Sequence, residues 1–197
     1  MKNRNRTRVV QMIGRQEIRG AIERLAEKLC AKYSGKTVVI IALLTGAYAF
    51  LTHFTETIED WNTSQPKRRR VRMLVDFLNA ASYEPAEHGV GMRSSGQVRI
   101  FGDIKLKIRG RHVLLLDDIA DTLRTLKQIA GLLQSRGPRS LEVACMLRKR
   151  GCAKVRLQVP CHVAMSIPSE YVVGMGLDDK GDFRTLPFVG RVVKVRG

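Results

Sequence analysis

Two apolar runs without a charge, residues 38–44 and 113–116, constrain this chain more than any other feature. A continuous apolar run of that length fits a strand buried on both faces, the setting of a parallel sheet covered by helices. Helical patterns stand between such runs. Residues 15–33 place Ile18, Ile22, Leu25, Ala26 and Leu29 at helical spacing, and Ser34, Gly35 and Lys36 end the pattern. Residues 37–55 hold no Asp, Glu, Lys or Arg, but Thr45, Gly46, Tyr48, Thr52 and His53 are too polar for a lipid-facing helix. They read instead as a strand over 38–44, a turn at Thr45-Gly46 and a helix from about 47 to 59. Residues 61–70 read as a polar, basic loop.

Further strands are expected over 71–78, 98–101 and 141–147, with a short one near 104–108. The run 113–116 passes into Asp117, Asp118, Ile119, Ala120 and Asp121, where a helix is expected to start and continue to about 136 before Gly137-Pro138 breaks it. Residues 82–97 are rich in glycine and serine and poor in apolar side chains, which predicts a long irregular segment. Strands alternating with helices predict an α/β fold with a mostly parallel central sheet flanked by helices.

The chain carries 35 Lys and Arg against 18 Asp and Glu, a net charge of +17, beside 44% hydrophobic residues. That composition excludes a disordered chain. The charge attracts polyanions: nucleic acid, acidic surfaces or phosphorylated small molecules. No aromatic residues are interleaved with the basic runs, so no base-stacking platform is visible. The four cysteines form no CxxC pair and follow no secretory leader, which predicts reduced thiols and a cytoplasmic protein without a membrane segment. A zinc site from Cys145, Cys152, Cys161 and His162 lacks the tight ligand pairs of structural zinc.

The unusual residues fall where an open α/β sheet binds ligands, at the carboxyl ends of its strands. Asp117, Asp118 and Asp121 follow a strand, and Thr122 and Thr125 flank a helix entry. Carboxylates there suit Mg²⁺ or sugar hydroxyls, and the helix entry suits a phosphate. The same residues also suit a helix N-cap made by Asp121 or Thr122, with acids favoured by the dipole. Physics alone leaves both readings open.

Residues 113–126 resemble the phosphoribosyl-diphosphate signature of type I phosphoribosyltransferases. Residues 43–48 resemble that family's pyrophosphate loop. Val75, Asp76 and Phe77, with Ser82-Tyr83 and Ser94, Ser95 and Gly96, resemble its flexible lid. Residues 147–150 resemble its purine-reading segment, and residues 167–184 its carboxyl-terminal hood. Order and spacing are similar to those of the hypoxanthine-guanine phosphoribosyltransferases over roughly 12–190.

The resemblance implies one phosphoribosyltransferase domain over 1–197, with a core at about 34–160, a hood from about 1–33 and 161–197, and a lid at about 80–98. It implies transfer of a phosphoribosyl group to a 6-oxopurine with Mg²⁺ as cofactor. Asp117 and Asp118 are expected on the ribose hydroxyls and the metal. Asp121 is the implied acid/base, and Asp121, Thr122, Leu123, Arg124 and Thr125 the 5′-phosphate loop. Thr45, Gly46 and Arg184 are expected on pyrophosphate. Lys149, Tyr171, Val172 and Asp178 are expected at the purine, Asp178 also at a metal, and Ser82 and Tyr83 in the lid. The family's pyrophosphate loop implies a non-proline cis peptide near Thr45-Gly46.

Two positions depart from the family pattern: Leu123 replaces a glycine and Thr45 a lysine. The implied partners are phosphoribosyl diphosphate, a 6-oxopurine and further copies of the chain in a homodimer or homotetramer. The net charge and Leu123 leave an alternative, a regulator of this fold that binds RNA with weak or no catalysis. A xanthine-preferring relative is a second alternative.

Overall fold

A computed structural model describes residues 7–83 and 97–194. Its main sheet has six strands in the order β4-β3-β2-β5-β6-β7. These are β2 (Thr37–Leu44), β3 (Arg72–Tyr83), β4 (Gln97–Gly102), β5 (His112–Ala120), β6 (Ser140–Lys149) and β7 (Cys161–Ile167). All neighbours pair parallel except β3 with β4. A second sheet, in the order β1-β9-β8, joins the two ends of the described chain through β1 (Thr7–Ile13), β8 (Val172–Val173) and β9 (Val189–Lys194).

The apolar runs are buried on both faces, as their continuity demands. Along β2, Val38, Ile40 and Ala42 join one apolar cluster with α1 (Arg15–Tyr33) and α2 (Tyr48–Thr63). The alternate residues Val39, Ile41 and Leu43 join a second cluster with α3 (Arg124–Ser135). Strand β5 divides in the same way, Leu114 and Leu116 to the first and Val113 and Leu115 to the second. With period two, such a strand must be apolar throughout.

Several boundaries differ from expectation. The helix expected at Asp121 begins at Arg124, because β5 stays paired with β6 through Ala120. The expected strand near 104–108 is absent. The amide groups of Lys105 and Leu106 donate to Asp76 Oδ2 at 2.6 and 2.7 Å instead of entering a ladder. Strand β3 runs on to Tyr83 through its pairing with β4, so Ser82 and Tyr83 belong to a strand, not to the irregular segment. Helix α2 reaches Thr63, and a short 3-10 turn at Lys67–Arg69 interrupts the expected loop. Strand β7 lies in the main sheet, and α1 packs on α2 and β7. Residues 84–96, most of the expected lid, lie outside the described residues.

Cys145, Cys152, Cys161 and His162, which the sequence spacing disfavours as a zinc site, have other partners. Cys145 and Cys161 hydrogen-bond each other, Cys152 donates to Ser169 Oγ at 2.9 Å, and His162 Nε2 lies 2.6 Å from Glu142 Oε2.

Candidate active site

The carboxyl ends of β2, β3 and β5 open into a cleft of 1120 Å³, large enough for a ligand bearing several phosphates. Thr45 and Gly46 after β2, Asn79 and Ala80 of β3, residues 117–119 of β5 and the 121–126 turn line it. Asp178 and Arg184 close it from the opposite side.

Leu44–Thr45 is a cis peptide, one bond ahead of the Thr45-Gly46 position implied by the resemblance. A side chain at Gly46 would collide with the Asp118 carboxylate, so only glycine lets this turn approach β5 so closely. Gly176 meets the Gly46 carbonyl in the same way, which seats the hood on the β2 turn.

Asp117 and Asp118 sit against each other. Burial raises Asp117 well above the usual carboxylate range, and the neighbouring Asp118 charge adds to the shift. Burial also raises Asp118, while its bond with Asp117 and the Arg184 guanidinium hold it back. These hard oxygen donors fit Mg²⁺, which takes one or two carboxylates and completes its shell with substrate phosphates and water. Among the described residues, no three His, Cys, Asp or Glu side chains gather into a metal cage. The Asp178 carboxylate lies 2.6 Å from Arg184 Nη2 and accepts the Gly181 amide at 2.6 Å.

The turn into α3 explains residues 121–125. Leu123 adopts φ +64°, ψ +1°, the left-handed conformation that favours glycine, and its carbonyl accepts the Lys127 amide at 2.9 Å. That conformation aims the first turn of α3 at the cleft, where its amide groups have no intrahelical partner. The N-cap position is Leu123, which offers no side-chain cap, and Thr122 Oγ1 accepts the Arg124 amide only at 3.5 Å. The Lys154 amide donates to the Thr122 carbonyl at 3.1 Å, and Lys154 lines the cleft.

At the end of β6, Lys149 Nζ lies 2.8 Å from Asp121 Oδ2, which places a cation and a carboxylate side by side at the cleft edge. Arg184 Nη1 donates to the Gly176 carbonyl at 2.6 Å, fixing the guanidinium in the hood. Tyr171 stands outside the cleft lining and is 45% exposed. Its hydroxyl lies 3.2 Å from both the Asp178 carbonyl and Asp179 Oδ1. Val172 is buried in β8 opposite Arg191. Ser82 and Tyr83 are placed by backbone alone, at the end of β3.

Asn79, Ala80 and Lys154 are cleft residues that sequence reasoning did not assign. The rule that ligands meet strand ends points to the first two, which directly follow the expected strand 71–78 and lie level with the end of β2 through Leu44↔Asn79. The basic cluster at 148–156 contains the third.

A Gly-bearing strand turn, paired carboxylates and a helix N-terminus around one cleft define a protein that grips a phosphorylated sugar. The chain belongs to the phosphoribosyl transferase domain family, whose pattern it matches over residues 10–180. It is 32% identical over 184 residues to the hypoxanthine phosphoribosyltransferase of Buchnera aphidicola subsp. Schizaphis graminum, covering 92% of this chain and 94% of that protein. It is 32% identical over 179 residues to the hypoxanthine-guanine phosphoribosyltransferase of Streptococcus pneumoniae, covering 91% and 90%. Among solved structures, it resembles a hypoxanthine-guanine phosphoribosyltransferase from Bacillus anthracis with TM-score 0.80 at 25% identity, over 96% of this chain and all of that one. It resembles a Staphylococcus aureus hypoxanthine phosphoribosyltransferase with TM-score 0.79 at 32% identity, over 93% of this chain and 91% of that one.

Proposed function

We propose that this protein is a purine-salvage transferase that moves the 5-phosphoribosyl group from phosphoribosyl diphosphate to hypoxanthine or guanine. The observation that carries this reading is the Lys149–Asp121 pair, 2.8 Å apart, at the edge of the phosphate cleft. Lys149 donates to the purine 6-oxo group. An adenine amino group would present donor to donor, so the site rejects it. Asp121 holds the proton at purine N7 while N9 bonds the ribose C1′ and the C1′–diphosphate bond breaks.

Residues 121–125 bind the 5′-phosphate at the α3 N-terminus. Thr45, Gly46 and Arg184 hold the departing pyrophosphate, whose negative charge a fixed guanidinium stabilises. Asp117 and Asp118 hold the ribose hydroxyls and are the residues to hold Mg²⁺. Bound there, the ion would supply charge neutralisation at the diphosphate. The exposed Tyr171 ring stacks on the base, and the Val172 backbone meets its edge. Asp178 orients Arg184 through their ion pair. Ser82 and Tyr83 belong to the lid that closes over the site.

The four free cysteines suit a cytoplasmic protein. Exposed Val75, Phe77, Ile100 and Phe101 supply apolar surface for a homodimer or homotetramer.

A turnover assay with phosphoribosyl diphosphate, Mg²⁺ and each of hypoxanthine, guanine, xanthine and adenine tests the reading. Nucleotide from the 6-oxopurines and not from adenine is expected, and the assay ranks xanthine against the other two. No nucleotide from any base, in a folded sample, overturns it. Asp121→Asn is expected to abolish most turnover while phosphoribosyl diphosphate still binds in calorimetry.

A further inference from the structure

The amino ends of the parallel strands, at the far side of the sheet from the cleft, carry a concentration of unpaired cations. Strands β2, β3, β5 and β6 begin level with one another, through the pairs Thr37↔Arg72, Val38↔His112 and His112↔Ser140. The loops before them, residues 34–36, 67–70, 108–111 and 137–139, therefore share one edge. Backbone hydrogen bonds stitch them together: the Gly35 amide to the Arg69 carbonyl at 3.0 Å, Arg72 to Lys36 at 3.0 Å, and Arg139 to Arg111 at 2.8 Å. A side chain at Gly35 (φ +70°) would press on the Arg68 carbonyl, so that junction is tight.

These four loops hold eight cations and no acid. Six of the eight are arginines, whose planar forks suit phosphate oxygens. All eight side chains are exposed, and among the described residues none is in an ion pair. His112 reports the crowding: burial first, then the Arg139 and Lys36 charges, hold its imidazole below the usual value, although Glu142 opposes them.

We propose that this basic edge binds the phosphate backbone of double-helical nucleic acid. Three observations favour that partner. The loops carry no aromatic side chain, so they cannot stack unpaired bases and can only track a backbone. None of the exposed large apolar side chains lies in these loops, so nothing there inserts into a bilayer. Four strands at about 4.8 Å spacing span roughly 14 Å, matching the ~12 Å major groove with its phosphates on either side. Five steps of β5, from His112 to Asp117, separate this edge from the nearest cleft residue of that strand by roughly 16–17 Å at about 3.3 Å per residue, so both can be filled together.

Fluorescence anisotropy with a labelled duplex of about 20 base pairs, across a salt series, tests the proposal. The variant Arg68→Ala/Arg69→Ala/Arg111→Ala/Arg139→Ala is expected to weaken binding at least tenfold and to lower the salt slope by about 3 to 4. The control Arg15→Ala/Arg24→Ala/Lys28→Ala/Lys127→Ala removes the same charge elsewhere and is expected to change affinity less than threefold. Equal losses in the two variants overturn the proposal, because binding then follows net charge and not this edge. Displacement of the duplex by saturating phosphoribosyl diphosphate with Mg²⁺ also overturns it, because the duplex then occupies the cleft. So does binding to phosphatidylglycerol vesicles with none to the duplex. If the fourfold variant melts early, the single reversals Arg69→Glu and Arg111→Glu carry the same test, each with about a tenfold loss expected.

Discussion

Leu123 holds a backbone conformation that an L side chain adopts at a cost of about 1–2 kcal/mol. The side chain is only 9% exposed and packs with Leu126, Ile129 and Leu133 in the α3 cluster. Removing a buried leucine costs about 2–5 kcal/mol, so packing outweighs strain. Leu123→Gly is therefore expected to lower stability by about 1–3 kcal/mol in denaturant titration while leaving phosphoribosyl diphosphate affinity unchanged or improved. A large loss of that affinity would mean that the leucine, not the backbone turn, shapes the phosphate site. At Lys149 the prediction concerns the other substrate. Its ion pair is with Asp121, the first residue of the phosphate turn, and Lys149 itself lies outside the cleft lining. Lys149→Ala should raise KM for hypoxanthine much more than KM for phosphoribosyl diphosphate, in steady-state kinetics with each substrate varied in turn.

At the scale of elements, one buried carboxylate ties a helix to the sheet. Glu142 on β6 lies 2.6 Å from Lys32 of α1 and 2.6 Å from His162 of β7. Burial pushes its carboxyl up, but the bonds from Lys32 and His162 outweigh that and leave it below the ordinary value. A carboxyl depressed in the folded state adds stability above its unfolded value of about 4.3, and that stability is lost as pH falls through the folded value. Glu142→Gln should thus cost about 1–2 kcal/mol at pH 7, because Lys32 keeps contact with water and leaves no fully buried charge. The deficit should shrink as pH falls below about 4, which thermal melts across pH would show. The same scale explains the misplaced helix start. Hydrogen-bonded pairing carried β5 as far as Ala120, overriding a local pattern in which acids before an amphipathic run look like a helix entry.

For the whole molecule, the net charge of +17 makes a field that draws in the multiply charged diphosphate and leaves a neutral purine untouched. The range of that field shrinks from about 10 Å at 0.1 M salt to about 3 Å at 1 M. Raising ionic strength over that interval should lower kcat/KM for phosphoribosyl diphosphate several-fold and change that for hypoxanthine little. Equal sensitivity of both substrates would remove the electrostatic explanation.

Local pattern determined the elements whose apolar faces are complete in sequence. Helix α1 matches its expected span, and β2, β5 and β6 contain their expected runs, because a strand buried on both faces needs no partner to declare itself. Asp117, Asp118 and Lys149 were placed at strand ends by the same pattern, while their roles came from the family resemblance and not from the pattern. Strands β1, β8 and β9 were not legible, since β1 pairs with β9 nearly two hundred positions away and none of the three carries a continuous apolar signature. Tertiary structure alone set the Lys149–Asp121 contact, the close approach of Gly176 to Gly46 and the Asp178–Arg184 ion pair. It also brought Lys36, residues 67–70, Arg109, Arg111 and Arg139 onto one edge of the sheet. Distances between side chains from different strands depend on register and hood position, which pairing across the sheets decides and no local stretch of sequence contains.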